Sequence, residues 1–224
     1  MVIEIVQREI ATRNVGYIIL RDCPEDRLAE GLNKGMEKLK KAGAQTVLAT
    51  SLPEGEPLNP GPVGVWRLTH AHDIIRLEKP LTDRPKPELK LTLRPLKRAA
   101  DDKLYLELVN RAFQNVPNAA TQRSADLRRQ NHRYSLAYRG DQLVGACELD
   151  LSEKVPELCS IAILPELQRQ GLGRSLLRTA LETLGGKPPA CFLTVSTGNL
   201  PAVSLYESEG FAPTGVVSSW YQVV

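Results

Sequence analysis

Aromatic residues make up only 5% of this 224-residue chain, and no basic stretch interleaves with them. That argues against a stacking surface for nucleic acid. Charge of one sign is also lacking, since 29 Lys and Arg stand against 26 Asp and Glu, a formal +3. No apolar run approaches the roughly 20 residues that a membrane-spanning helix needs. Cysteine occurs four times, as Cys23, Cys147, Cys159 and Cys191, with no C-x-x-C pair. These read as free thiols in a reducing, cytoplasmic compartment. Residues 1–9 alternate in polarity and lack the basic-then-apolar layout of a signal peptide. His70 and His72 fall on one strand face, but the third histidine, His132, is far away in sequence. They read as part of a solvated hairpin, and no metal is expected. Without a Gly-x-Ser-x-Gly elbow, a hydrolase triad has no anchor.

What is there is an ordinary globular composition, 42% hydrophobic and 25% charged. Residues 1–88 carry 13 basic and 13 acidic groups, residues 89–224 carry 16 and 13, so the excess lies in the second part. The first part reads as a hairpin around Arg13-Asn14, then a helix opened by Pro24-Glu25-Asp26 with Leu28, Leu32, Met36 and Leu39 as its buried stripe. A short strand (46–49), a proline-rich loop (51–64) and a strand pair (65–68 and 74–77) follow. Pro80, Pro85 and Pro87 mark a linker. The second part opens with a strand at 91–94. A helix starts after Asp101-Asp102, and a break and a more polar helix with Arg123, Arg128 and Arg129 follow. Then comes a hairpin around Gly140-Asp141.

The most informative stretch is 157–184, ELCSIAILPELQRQGLGRSLLRTALETL. Leu158, Ile161 and Ile163 make a short buried strand that ends at Pro165. Leu172, Leu176, Leu177, Ala180, Leu181 and Leu184 make one helical stripe. Between them, Gly171 and Gly173 allow positive φ and close approach of a ligand, and the helix's first turn presents unpaired N–H groups. Arg169 and Arg174 add positive charge, so the turn suits a phosphate. A dinucleotide fingerprint fails, because Leu176 stands where a third glycine belongs, and a nucleotide-triphosphate loop fails for want of Lys-Ser or Lys-Thr. Glycines serving only as breakers remain the plain alternative.

Gln168-x-x-Gly171-x-Gly173 between such a strand and such a helix resembles the coenzyme A pyrophosphate loop of the GNAT superfamily of N-acetyltransferases. Asn199, Ala202, Tyr206, Gly210 and Phe211 match a second block of that family, at the right distance behind the first. The resemblance covers about residues 90–224. It implies an α/β (α+β) fold, a GNAT-type mixed central sheet flanked by helices at 86–224, in the order β-α-α-β-β-β-α-β-α-β-β. A smaller α+β N-terminal domain at 1–85 precedes it. The strand–helix–strand core of that domain is open to reading as a degenerate half of the same fold. No second coenzyme site is expected there, because Asp22, Glu25 and Asp26 stand at its helix entrance.

By the same resemblance, acetyl-CoA is the co-substrate and a primary amine the acceptor. The main chain of Ile161, Ala162 and Ile163 would pair with the pantetheine arm. Gln168, Arg169, Gln170, Gly171, Leu172, Gly173 and Arg174 would hold the pyrophosphate. Asn199 would either reach the arm or cap the last helix. Transfer passes through a tetrahedral intermediate, so a base must take the amine's proton and an acid should meet the departing thiolate. Tyr206 is the expected acid. Glu157 is the expected base, with Glu148 in reserve and a water chain as the other route. The acceptor, a small molecule or a protein N-terminus or lysine, is expected between 114–123 and 213–220. The N-terminal domain is expected to roof this acceptor cleft. A homodimer is left open. The competing reading is a non-catalytic acyl-CoA-binding or dimerisation module with the same fold.

Overall fold

The computed structural model describes all residues except 53–57, 83–84, 117–118, 120, 128 and 187. In chain order its elements are β1 (Val2–Val6), α1 (Ile10–Arg13), β2 (Val15–Arg21), α2 (Leu28–Lys41), β3 (Thr46–Leu52), β4 (Gly61–Val63) and β5 (Trp66–Pro80). They continue as β6 (Thr92–Pro95), α3 (Ala99–Ala112), β7 (His132–Arg139), β8 (Gln142–Asp150), β9 (Glu157–Ile163), α4 (Leu172–Glu182), β10 (Ala190–Ser196), α5 (Leu200–Ser208) and β11 (Ala212–Val223). Two compact units result: residues 1–75, 196–198 and 216–224, and residues 76–195 and 199–215. The division expected at 85/86 thus falls instead inside β5. The last residues join the first unit because the end of β11 pairs with β3, Tyr221 opposite Ala49 and Gln222 opposite Leu48.

In the first unit the strands lie in the order β1-β2-β3-β11-β5, with β4 on β5. β1 and β2 are antiparallel from Val2/Arg21 to Val6/Tyr17. Their connection is not the tight hairpin expected, since the single turn α1 intervenes and ends at Asn14 in the left-handed region (φ 58°). Strand β2, helix α2 and strand β3 form a parallel crossover paired at every position from Val15/Thr46 to Arg21/Leu52. α2 buries Leu32, Met36 and Leu39 against Ile18, Leu20, Val47 and Ala49, each fully buried aliphatic contributing about 1.5–3 kcal/mol. The two short strands expected at 65–68 and 74–77 are one strand, β5. His70 and His72 therefore lie mid-strand, His72 buried and His70 exposed with Nε2 2.9 Å from Asp73 Oδ1.

In the second unit the order is the end of β5, then β10-β9-β8-β7-β6. The hairpin β7–β8 turns at Gly140 (φ 61°), as its Gly-Asp dipeptide predicts. α3 packs Tyr105, Leu108 and Val109 on Leu136, Ala146 and Ala162. α4 buries Leu172, Leu176, Leu177, Ala180 and Leu181, the predicted stripe save Leu184, which follows the helix end and is only partly buried. The expected second helix is a single 3₁₀ turn at Ser124–Asp126, where the Asp126 carboxylate accepts from the Arg123 N–H at 2.8 Å. Local capping of this kind competes with helix propagation, and among its described residues the segment buries only Leu127 in the core. Arg128, expected in that helix, lies outside the described residues, as do Pro53 and Pro57 of the expected loop. The pair of strands expected after Phe211 is the single strand β11. No turn interrupts it, and Thr214 Oγ1 donates to the Arg76 carbonyl at 3.3 Å.

Candidate active site

Strands β9 and β10 are parallel, yet they pair at one position only, Phe192 with Glu157, closed by Phe192 N–H donating to the Pro156 carbonyl at 3.1 Å. Beyond Glu157 they part. Ile161, Ala162 and Ile163 stay zipped to β8, so their other main-chain edge makes no ladder with β10. The β8–β9 ladder also slips, from Glu148/Ser160 to Leu149/Leu158, which leaves Cys159 as an extra, bulged residue. A bulge releases main-chain groups from the ladder and re-aims side chains. On β8, Gly145 sits where a Cβ would lie 2.5 Å from the Ala162 carbonyl oxygen. Only glycine fits there, a constraint that no motif in the sequence advertises.

The turn after β9 takes positive φ at Gly171, as expected, but not at Gly173, which lies within α4. Arg169 (φ 60°) and Gly171 (φ 77°) are both left-handed, a conformation costing a non-glycine residue about 1–2 kcal/mol. Gly171 caps α4 without a side-chain bond, so the first N–H groups of the helix face outward. Gln168 is spoken for, since its Nε2 donates to the Ile163 carbonyl at 3.2 Å and ties the turn to the strand end. At Gly173 a Cβ would meet Leu205 at 3.6 Å, an ordinary contact. Packing therefore does not demand glycine at this position.

α5 carries Tyr206. Its half-buried ring meets Phe211 edge-on at 5.9 Å, and burial pushes its phenol up to about 12. Asn199 stands at the N-cap but makes no side-chain cap bond, so capping is not its role here. The residue that sequence reading missed is Glu209. Buried, it accepts from Arg178 at 2.8 and 2.9 Å, pairs with Arg174 at 2.9 Å, and its carbonyl accepts from Lys79. Arg174, expected beside the phosphate, is thereby drawn back onto Glu209 and Ser208. The one available signal was the i, i+4 spacing of Arg174 and Arg178 on one helix face. This clamp sets the spacing of α4 and α5, and with it the distance from the turn to Tyr206.

Glu157 is half-buried at the last pair before the splay. Burial raises its carboxyl above the usual range, with Asp150 and Glu148 adding to the rise. A bond from Thr194 Oγ1 at 3.4 Å and the charge of Arg76 oppose it. Glu148, the reserve base, is buried and bonded to His132 Nδ1 at 2.8 Å. It is less free than Glu157 to meet an incoming amine.

Residues 101–211 match the model of the acetyltransferase (GNAT) family, and that stretch of the chain belongs to the family. Among curated proteins, a mycothiol acetyltransferase of Streptomyces bingchenggensis is 29% identical over 164 residues, 66% of this chain and 53% of that protein. A second, from Thermomonospora curvata, is 31% identical, covering 62% and 51%. The [ribosomal protein bS18]-alanine N-acetyltransferase of Escherichia coli is 40% identical over 65 residues, 29% of this chain and 44% of that one. The chain spans about half the length of the mycothiol acetyltransferases it matches. A GCN5-related N-acetyltransferase from Sphaerobacter thermophilus superposes with a TM-score of 0.60 at 15% identity, over 98% of this chain and 75% of its own. One from Kribbella flavida gives 0.57 at 16%, over 93% and 80%. These two establish a shared fold. Among the described residues no helix is long and apolar enough to cross a membrane.

Proposed function

We propose that the second unit is an acetyl-CoA-dependent N-acetyltransferase acting on a primary amine. The observation that carries this is the splay of β9 from β10, with a free-amide turn at one end and a half-buried glutamate at the other. The donor set fits the coenzyme. The edge of Ile161 and Ala162 away from β8 suits a peptide-like arm, the Ile163 carbonyl being held by Gln168, and the N–H groups after Gly171, with Arg169 exposed beside them, suit a pyrophosphate. When bound, the coenzyme supplies the activated acetyl group.

Glu157 takes the proton of the acceptor's ammonium, which must be lost before nitrogen can attack. A raised carboxyl is better matched to that task than an exposed one. Main-chain groups released at the Cys159 bulge are suited to the oxyanion that develops beside them. Tyr206 would serve the leaving sulfur as a donor. With its phenol near 12 and an alkyl thiol near ~8.5, full proton transfer is uphill. A hydrogen bond to the thiolate is therefore its main contribution. Asn199, free of capping, is available to the coenzyme's arm.

The acceptor is an amine of a small molecule or of a protein. One set of relatives is named for mycothiol and another for an alanine of a ribosomal protein, and the site contains no decisive lone charge that chooses between them. Thiol release from acetyl-CoA across an amine panel, with Tyr206→Phe beside the native chain, tests the reading. Acceptor-dependent release that weakens in the variant is expected. Coenzyme binding without release for any amine would favour the non-catalytic module instead.

A further inference from the structure

Three side chains of metal-ligand type, far apart in sequence, meet on the sheet of the second unit. His132 opens β7, Glu148 lies on β8, and Cys159 is the extra residue of the β9 bulge. The ladders explain the meeting. His132 pairs with Asp150, so it stands on the same face as Glu148, two residues along β8. Two residues of a bulged strand oppose one on its partner, and here Cys159 and Ser160 share Glu148. One ring nitrogen of His132, one carboxylate oxygen of Glu148 and Cys159 Sγ all lie within 4.8 Å of one another. The His132 side chain is 9% exposed and that of Glu148 4%, and Cys159 is half-buried.

Nitrogen, oxygen and sulfur donors at one buried point are the set that zinc takes, and a tetrahedral ion holds its ligand atoms roughly 3–4 Å apart. Small side-chain adjustments bring the three to that spacing. The electrostatics favour the same occupant. Burial raises the Cys159 thiol, and the carboxylates of Glu148, Glu157 and Asp150 raise it further, which marks a negative field around the sulfur. A divalent ion reverses this effect and takes the sulfur as thiolate. The ion, one thiolate and one carboxylate then sum to zero, which lowers the cost of burying each charge. On the far side of the ring, Asp150 Oδ2 lies 3.2 Å from Nε2, and Oδ1 accepts from the Ser152 N–H at 2.8 Å. A carboxylate in that place is the usual neighbour of a metal-bound histidine.

We infer that His132, Glu148 and Cys159 form a binding site for one divalent cation of the zinc class, with the fourth coordination position left to water. Mg²⁺ and Ca²⁺ are disfavoured, since they take oxygen ligands. The site shares no residue with the coenzyme turn, Tyr206 or Glu157, so it stands independently of the acetyl-transfer reading.

The test is a titration of the full, reduced, coenzyme-free chain with Co²⁺. Thiolate coordination gives a near-ultraviolet charge-transfer band, and tetrahedral geometry gives visible bands. Both should rise together and saturate at one ion per chain, and Zn²⁺ should then abolish them by displacement. Cys159→Ser should remove the charge-transfer band, whereas Cys23→Ser and Cys191→Ser should leave it. Glu148→Gln should weaken Zn²⁺ binding in calorimetry by about 10-fold or more. In the native chain, Zn²⁺ should shift the NMR signals of the His132 ring, assigned with His132→Gln, up to the same saturation point. Absence of the thiolate band, its survival in Cys159→Ser, unmoved His132 signals or an unchanged affinity in Glu148→Gln each overturns the inference. If Cys159→Ser does not fold, the native-chain measurements and Glu148→Gln still decide.

Discussion

The molecule contains two parallel strand–helix–strand crossovers. In the first unit, β2 and β3 are zipped along seven paired positions, and α2 lies tight on them: at Gly35 a Cβ would sit 2.4 Å from Ile18, and at Gly31 3.0 Å from Leu20. In the second, β9 and β10 touch at one pair, and the glycines at the helix entrance face open space or ordinary contacts. The entrances differ in charge as well. The first has Asp22 and Glu25 lining a cavity of about 560 Å³, with Asp26 next to Glu25 in the same turn, and the second has uncapped amides with Arg169. Acid at the positive end of a helix stabilises the helix and repels a phosphate. The same local architecture thus closes on itself in one place and parts in the other. The difference lies in strand pairing and in what the glycines are for.

The comparison can be broken most forcefully at Tyr206. Tyr206→Phe should lower kcat for acceptor-dependent thiol release by about 10²-fold with the fold intact, the scale of losing one hydrogen-bond donor to a developing charge. An unchanged kcat would leave the splay a binding cleft only. Next in size is Glu209→Ala. It strands Arg178 against the gap between α4 and α5 and should cost about 3 kcal/mol in denaturant unfolding. It should also weaken coenzyme binding measured by calorimetry, because the turn and α5 lose their fixed spacing.

A matched pair of glycine changes sharpens the contrast further. Gly35→Ala should destabilise by about 1–3 kcal/mol through overpacking on Ile18, without altering coenzyme affinity. Gly173→Ala should leave the melting temperature unchanged or raise it, since alanine favours helix by up to ~1 kcal/mol. It should nevertheless weaken coenzyme binding. The reverse pattern would exchange the roles given to the two entrances. The smallest expected effect is in pH. Glu157 must be ionised to act, and burial first and Asp150 second raise it, so activity should fall with decreasing pH through a midpoint above the ordinary glutamate range. A limb at or below that range in kcat/KM would remove the electrostatic part of the contrast.

Much of this was legible in the chain. Periodicity alone placed α2 and α4, the dipeptide Gly140-Asp141 placed the β7–β8 turn, and the spacing of Gly171 and Gly173 placed the turn between β9 and α4. What failed were elements whose fate hangs on partners remote in sequence. The segment after Thr121 carried a helical reading, but Asp126 caps it after one turn. β5 and β11 each run unbroken where shorter pieces were read, because their neighbours in the sheet offer ladders that intrinsic propensity does not record. Glu209 looked like any surface glutamate until folding buried it between two arginines.

By itself, the order of residues determined a glycine-bearing turn ahead of a helix and a tyrosine at a set distance behind it, because a left-handed glycine and a helical stripe are local properties. Only tertiary structure decided that β9 and β10 would part after a single pair, that Cys159 would bulge, and that His132 would lie between two carboxylates. Each of those depends on ladder register, and register is settled by which side chains fit together once the strands have met.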